Sequence, residues 1–242
     1  MTFLMACSKD SSESTTRSDT GVGGSTARFV VVNDRLYTVD HAKLHIFDVS
    51  TPSSPVEVQE SDLQSQLNGS IIETIFAKGN ILFIGTQSGI SMFNISNPDA
   101  IEKYTTYSHI VSCDPVVADD SCAYSTLSAG RAGCWSGTNS LDIINIKDLY
   151  QPMLIKTYPM KNPKGLGLLG NRLFVCDEGV KVYDITNPGN IVLKRNYLIN
   201  ADDVIPLPNS ILFTGSDGLL QYVFFPANDS LVLASRIIVT KG

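Results

Sequence analysis

Four ionisable side chains recur at one place in a repeated pattern. Glu73, Asp114, Lys164 and Asp203 each stand ten positions before an aromatic residue (Phe83, Tyr124, Phe174 and Phe213), as Ala27 stands before Tyr37. Three carboxylates and an ammonium around one opening have the chemistry to hold a cation or a polar ligand by converging charge. The same residues also suit a solvated polar rim, in which Lys164 offsets its neighbours and binds nothing. Other constellations fall away. Gly165, Gly167 and Gly170 spell G-x-G-x-x-G, but dinucleotide binding needs a helix after the glycines, and NRLFV reads as a turn and a strand. No G-x-S-x-G, Walker A or H-E-x-x-H motif occurs, and His41, His45 and His109 are scattered. The acid pairs Asp119-Asp120 and Asp202-Asp203 fit turns. No catalytic residue, metal or cofactor is therefore expected.

A second candidate surface is an insertion. From the aromatic to a following acid or amide position (Asp48, Asn94, Asn145 and Asp184, replaced by Val223 in the fifth copy) there are 11 residues in the first two copies and 10 in the last two, but 21 in the third. The extra segment, about residues 126–138, holds Arg131 and Trp135, the only tryptophan. Arg and aromatic side chains are favoured contact anchors on loops, although a Gly/Ser-rich excursion with Trp135 packed on its own sheet fits equally. With Cys7 set aside, Cys113, Cys122, Cys134 and Cys176 allow three full pairings. Cys113 precedes the first strand of the third copy and Cys134 lies in its insertion. Both belong at one face, so a Cys113–Cys134 disulfide is expected, with Cys122 and Cys176 as buried thiols.

The elements that must position these groups are strands. Each copy opens on an apolar stretch, a turn and an apolar-aromatic pair, as in VVNDRLYTV, AKGNILFIG and LLGNRLFVC. An alternating segment and a second turn follow, as in KLHIFDVSTP, GISMFNISNP and GVKVYDITNP. Alternation with period two is the pattern of a sheet, and Asn33-Asp34, Gly79-Asn80 and Gly170-Asn171 suit tight hairpins. Five copies, about residues 27–63, 72–110, 113–160, 163–199 and 201–240, fill the chain. Four-stranded units of this length cannot bury both faces alone. A five-bladed, all-β propeller with four-stranded antiparallel blades is the expected fold, ahead of a solenoid, which would need polar capping repeats.

Before the repeats the chain reads as an address. Leu4-Met5-Ala6-Cys7 has the form of a lipobox, with six residues before the cysteine, so residues 1–7 read as a truncated lipoprotein signal and Cys7 as its lipidation site. Residues 8–26 contain six Ser, four Thr and three Gly and are expected to be a flexible tether. Hydrophobic residues make up 43% of the 242, which excludes a wholly disordered chain. A formal charge of −6 argues against a nucleic-acid surface. No apolar run approaches the roughly 18–20 residues that span a bilayer as a helix.

IFDVSTP, MFNISNP and VYDITNP resemble the LVIVD-type repeat of bacterial surface propellers. Residues 107–127 and 165–188 are similar to Bacteroidetes lipoproteins of that family. The resemblance implies a lipid-anchored β-propeller at the cell envelope, at the outer membrane, and transfers no catalytic site. The expected function is a non-catalytic binding or scaffolding module for an envelope protein or a glycan, touching the membrane through its anchor only. The competing reading is a cation-dependent hydrolase using Glu73, Asp114 and Asp203.

Overall fold

The computed structural model describes residues 20–21, 23–109, 115–129 and 139–239, and among them every regular element is a strand. The first blade contains β1 (Thr20–Gly21), β2 (Phe29–Val32), β3 (Arg35–Val39), β4 (Lys43–Asp48) and β5 (Val56–Asp62). The second contains β6 (Ile72–Lys78), β7 (Ile81–Thr86), β8 (Gly89–Asn94) and β9 (Glu102–Ser108). The third contains β10 (Val116–Ala118), β11 (Cys122–Leu127), β12 (Ser140–Asn145) and β13 (Met153–Pro159). The fourth contains β14 (Pro163–Leu169), β15 (Arg172–Asp177), β16 (Val180–Asp184) and β17 (Val192–Tyr197). The fifth contains β18 (Asp203–Pro206), β19 (Ile211–Gly215), β20 (Gly218–Phe225) and β21 (Ser230–Ile237). Strands pair in chain order and antiparallel within each blade, and β1 adds to the inner edge of β2. This is the five-bladed propeller that the repeats imply. Among the described residues no helix is long and apolar enough to cross a membrane.

The repeated sequence features each have a physical role. The second-strand aromatics Tyr37, Phe83, Tyr124, Phe174 and Phe213 are all buried, and each removes enough apolar surface from water to contribute roughly 1.5–3 kcal/mol. Asp48, Asn94, Asn145 and Asp184 accept the backbone N–H two residues on, at 2.9–3.0 Å, and so turn the chain out of the third strand. A bulge recurs between the third and fourth strands of every blade, at Ile46/Phe47, Met92/Phe93, Ile143/Ile144, Val182/Tyr183 and Gln221/Tyr222. It bends each outer strand and adds twist to the blade.

First strands of neighbouring blades touch in the series β2, β6, β10, β14, β18, which places them around a common axis. Four apolar clusters among the described residues lie between blades one and two, two and three, three and four, and four and five. The junction of blade five with blade one has no such cluster among them and is sealed by hydrogen bonds.

Candidate functional site

Asp203 makes that seal. Its carboxylate accepts hydrogen bonds from Ser25 Oγ (2.9 Å), Thr26 N (3.1 Å), Thr26 Oγ1 (2.6 Å) and Val204 N (2.9 Å). Ser25 Oγ in turn accepts from Leu166 N at 2.8 Å, so one serine links the first, fourth and fifth blades. Ser25 is 1% exposed. Residues 23–26, expected as the end of a flexible tether, are therefore part of the ring. Their burial repays the entropy of ordering them. The G-x-G-x-x-G glycines find their reason here. A Cβ at Gly165 would strike the Asp203 carboxylate, a Cβ at Gly167 would lie 2.7 Å from Pro206 Cδ, and Gly170 turns with φ +57°.

Of the four sequence-aligned ionisable residues, the three that are described, Glu73, Lys164 and Asp203, do not share one structural position. Val30, Phe76, Val117 and Gly167 pair with their second-strand aromatics seven residues later, whereas Val204 pairs with Phe213 nine residues later. The β18–β19 hairpin, carrying Pro208 and Asn209, is two residues longer than the β2–β3 hairpin. That length shifts Asp203 two residues inward, to the register of the buried Ile75, Val116 and Leu166. Ala201 takes the place that Asp203 was expected to hold. Glu73 is half-buried at a bulge and accepts from Gln87 Nε2 at 3.1 Å. Lys164 Nζ pairs with the exposed Asp202 at 2.5 Å. Asp203, enclosed by four donors, does not converge on a cation with Glu73. Asp114, Cys113, Arg131, Cys134, Trp135 and Cys7 lie outside the described residues. Both roots of the insertion are fastened, since Asn139 Oδ1 accepts from Ala129 N at 2.8 Å and its Nδ2 donates to Lys161 O. Cys122 and Cys176 are buried free thiols, and burial pushes both upward from their ordinary pKa.

Asp177, on this same face, is fully enclosed and gives a pH prediction. Burial acts to raise its pKa, but Lys181 Nζ and the amides of Asn162 and Lys161 outweigh burial and hold it below the ordinary 3.8. A depressed folded pKa gives stability that is present above the unfolded value and lost as pH falls through the folded one. Asp177→Asn should thus be less stable than the wild type at pH 7, with the gap closing below about pH 3.8. Urea midpoints measured from pH 7 to pH 3 check this, and a constant gap contradicts it.

The space at the axis opens at the other end of the first strands. A cavity of ≈ 1020 Å³ is lined by residues of all five blades, with walls that include Val30, Ile75, Ala77, Val117, Leu166 and Val204. Its mouth carries the first-to-second-strand hairpins, with Asn33, Lys78 and Asp120, and Lys147 from the turn after β12. Lys78 pairs with Asp120 at 3.2 Å. Phe29 lines the cavity and is 57% exposed, although the residues at its register in blades two to four are buried. Aliphatic walls with a few polar groups at the rim form a ligand-binding geometry. Sequence reasoning placed the mouth at the opposite face. The one signal for Phe29 was an aromatic at the head of an innermost strand.

Comparison with known proteins fits this architecture. The LVIVD repeat is matched at residues 23–62 and 164–199, which are the first and fourth blades. These blades share a cross-strand pair, Arg35 with Asp48 at 2.7 Å and Arg172 with Asp184 at 3.1 Å. No curated protein sequence matches the chain. Among solved structures, a protein from Lactobacillus plantarum is similar at 10% identity and TM-score 0.67, over 85% of this chain and 68% of that one. A structure assigned as a 6-phosphogluconolactonase from Bacteroides uniformis is similar at 10% identity and TM-score 0.65, over 91% and 70%. BamB from Moraxella catarrhalis is similar at 12% identity and TM-score 0.54, over 80% and 55%. At these identities the likeness is one of fold alone.

Proposed function

We propose that this protein is a non-catalytic binding or scaffolding module of the bacterial cell envelope, held to the outer membrane by a lipid on Cys7, whose axial cavity receives part of a protein or glycan ligand. The observation that carries the reading is the ≈ 1020 Å³ cavity with aliphatic walls, an exposed Phe29 and a sparse polar rim. A solvent-facing aromatic in such a wall adds contact area at small entropic cost, as an anchor for a ligand does. The LVIVD repeats and the polar segment after Leu4-Met5-Ala6-Cys7 support the envelope address. The hydrolase reading loses its main support, because Asp203 is spent on closing the ring.

The test is retention of envelope components on the immobilised full chain, compared with Phe29→Glu and with deletion of residues 130–138. Phe29→Glu should weaken retention of a specific component about tenfold, the loss typical of an anchor residue. Unchanged retention in Phe29→Glu overturns the cavity as the contact, and loss on deletion transfers it to the Arg131/Trp135 loop. In cells, Cys7→Ser should abolish labelling by a fatty-acid probe and release the protein from membranes. Persistent labelling refutes the anchor.

A further inference from the structure

We propose that His45, Glu57 and Glu60 on the outer half of the first blade form a binding site for a divalent transition-metal cation, zinc above all. His45 on β4 pairs directly with Glu60 on β5. Glu57 lies three residues before Glu60, a spacing that puts side chains on opposite faces of a regular strand. The bulge at Ile46/Phe47 removes one residue from the count, so Phe47 pairs with Glu57 and both carboxylates turn to the His45 face. The equivalent bulges of the other blades present no such set, since Ser91, Asp142, Lys181 and Leu220 occupy the His45 position.

The donor atoms are already close. His45 Nδ1 lies 2.7 Å from Glu57 Oε1 and 3.7 Å from Glu60 Oε2, and the three ligand atoms all fall within 4.8 Å of one another. Bonds of about 2.0–2.2 Å in a tetrahedral shell set ligand atoms about 3.4 Å apart. Side-chain shifts of under about an ångström reach that spacing. The other ring nitrogen, Nε2, faces Asp40 Oδ2 at 3.8 Å, and Asp40 is itself fixed by the amides of Ala42 and Lys43 at 2.7 Å each. A carboxylate behind a ligating imidazole orients the ring and raises its basicity. Lys43 Nζ holds Glu60 Oε1 at 2.5 Å and leaves Oε2 for the ion. Three carboxylates against one ammonium leave a net negative patch around the imidazole. Imidazole with carboxylate suits zinc, whereas calcium asks for six to eight oxygens. Three protein ligands leave a fourth position for water or a donor from outside.

The test is calorimetric titration of the chelator-treated full chain with zinc chloride, with calcium chloride in parallel. We expect one zinc ion per chain at this site and calcium binding at least about tenfold weaker. His45→Ala and Glu57→Gln should each weaken zinc at least about tenfold, and Asp40→Asn, which keeps an oxygen for the two amides, about tenfold. His41→Ala, in the preceding exposed turn, should leave affinity unchanged. Circular dichroism and the metal-free thermal midpoint show that each variant is folded, and Glu57→Gln, isosteric with the native side chain, keeps the comparison open if His45→Ala is not. Absence of saturable zinc binding overturns the proposal. So does binding that His45→Ala and Glu57→Gln leave at the wild-type level, since the ion then sits elsewhere on the chain.

Discussion

Asp203→Ala should open the ring at the junction of blades five and one and lower stability by about 3–5 kcal/mol, or a midpoint shift of roughly 10 °C. The reason is the distribution of the apolar clusters. Every other junction between blades holds a cluster of its own, so one side chain there is one contribution among many. At the closing junction the carboxylate itself joins Ser25 and Thr26 to the fifth blade, and its removal leaves several enclosed donors without an acceptor. Asp203→Asn keeps one acceptor oxygen and should lose less. Gly165→Ala should reproduce much of the defect from the opposite strand, because its Cβ meets the Asp203 carboxylate. Amide hydrogen exchange separates this from general destabilisation. Protection should fall first in β2 and β18, while β7, β11 and β15 stay protected. Uniform loss of protection, or a shift of under about 3 °C (about 1 kcal/mol) for Asp203→Ala, contradicts the closing role.

The blades could be read from the chain because their signals are local. Period-two alternation, an aromatic in each second strand and an Asx turn after the third need only neighbouring residues to act. The centre of the molecule is different, because it depends on register between strands. Asp203 aligned with Glu73 and Lys164 by counting back from an aromatic, yet two extra hairpin residues before Ile211 moved it into the wall. Ser25 and Thr26 looked like tether because Ser and Thr are polar in isolation, and their burial depends on a carboxylate 178 and 177 residues away. His45 looked like a lone strand histidine. Its neighbours converge only through a bulge, which reverses the face that a spacing of three residues implies. Phe29 carries no sequence signal of its own beyond being aromatic, since nothing in one strand tells which side meets a neighbouring blade and which meets the axis.

Arg172→Ala should cost about 3–5 kcal/mol, and the deficit should be specific to the joint of blades four and five. Arg172 is 13% exposed and binds Asp184 of its own blade through Nη1 at 3.1 Å while Nε donates to Asp229 of the next. Asp229, 8% exposed, holds the β20–β21 hairpin with φ +55°. Tyr197 Oη and Arg195 Nη2 fasten the same turn by donating to the carbonyls of Asp229 and Asn228. Removing the guanidinium leaves the partly enclosed Asp184 and Asp229 carboxylates without the cation that both bind, which is worse than losing an attraction. Arg172→Lys should recover little, because an ammonium is a point charge and cannot donate to both carboxylates in the fork geometry. The paired change Arg172→Met with Asp229→Asn should cost less than the sum of the singles, since it removes one charge of each sign together. A double-mutant cycle on urea midpoints gives the coupling, expected at about 1–3 kcal/mol. Additive losses would mean that the two side chains stabilise their blades separately, and the joint would then rest on the apolar cluster around Phe174, Phe213 and Phe224.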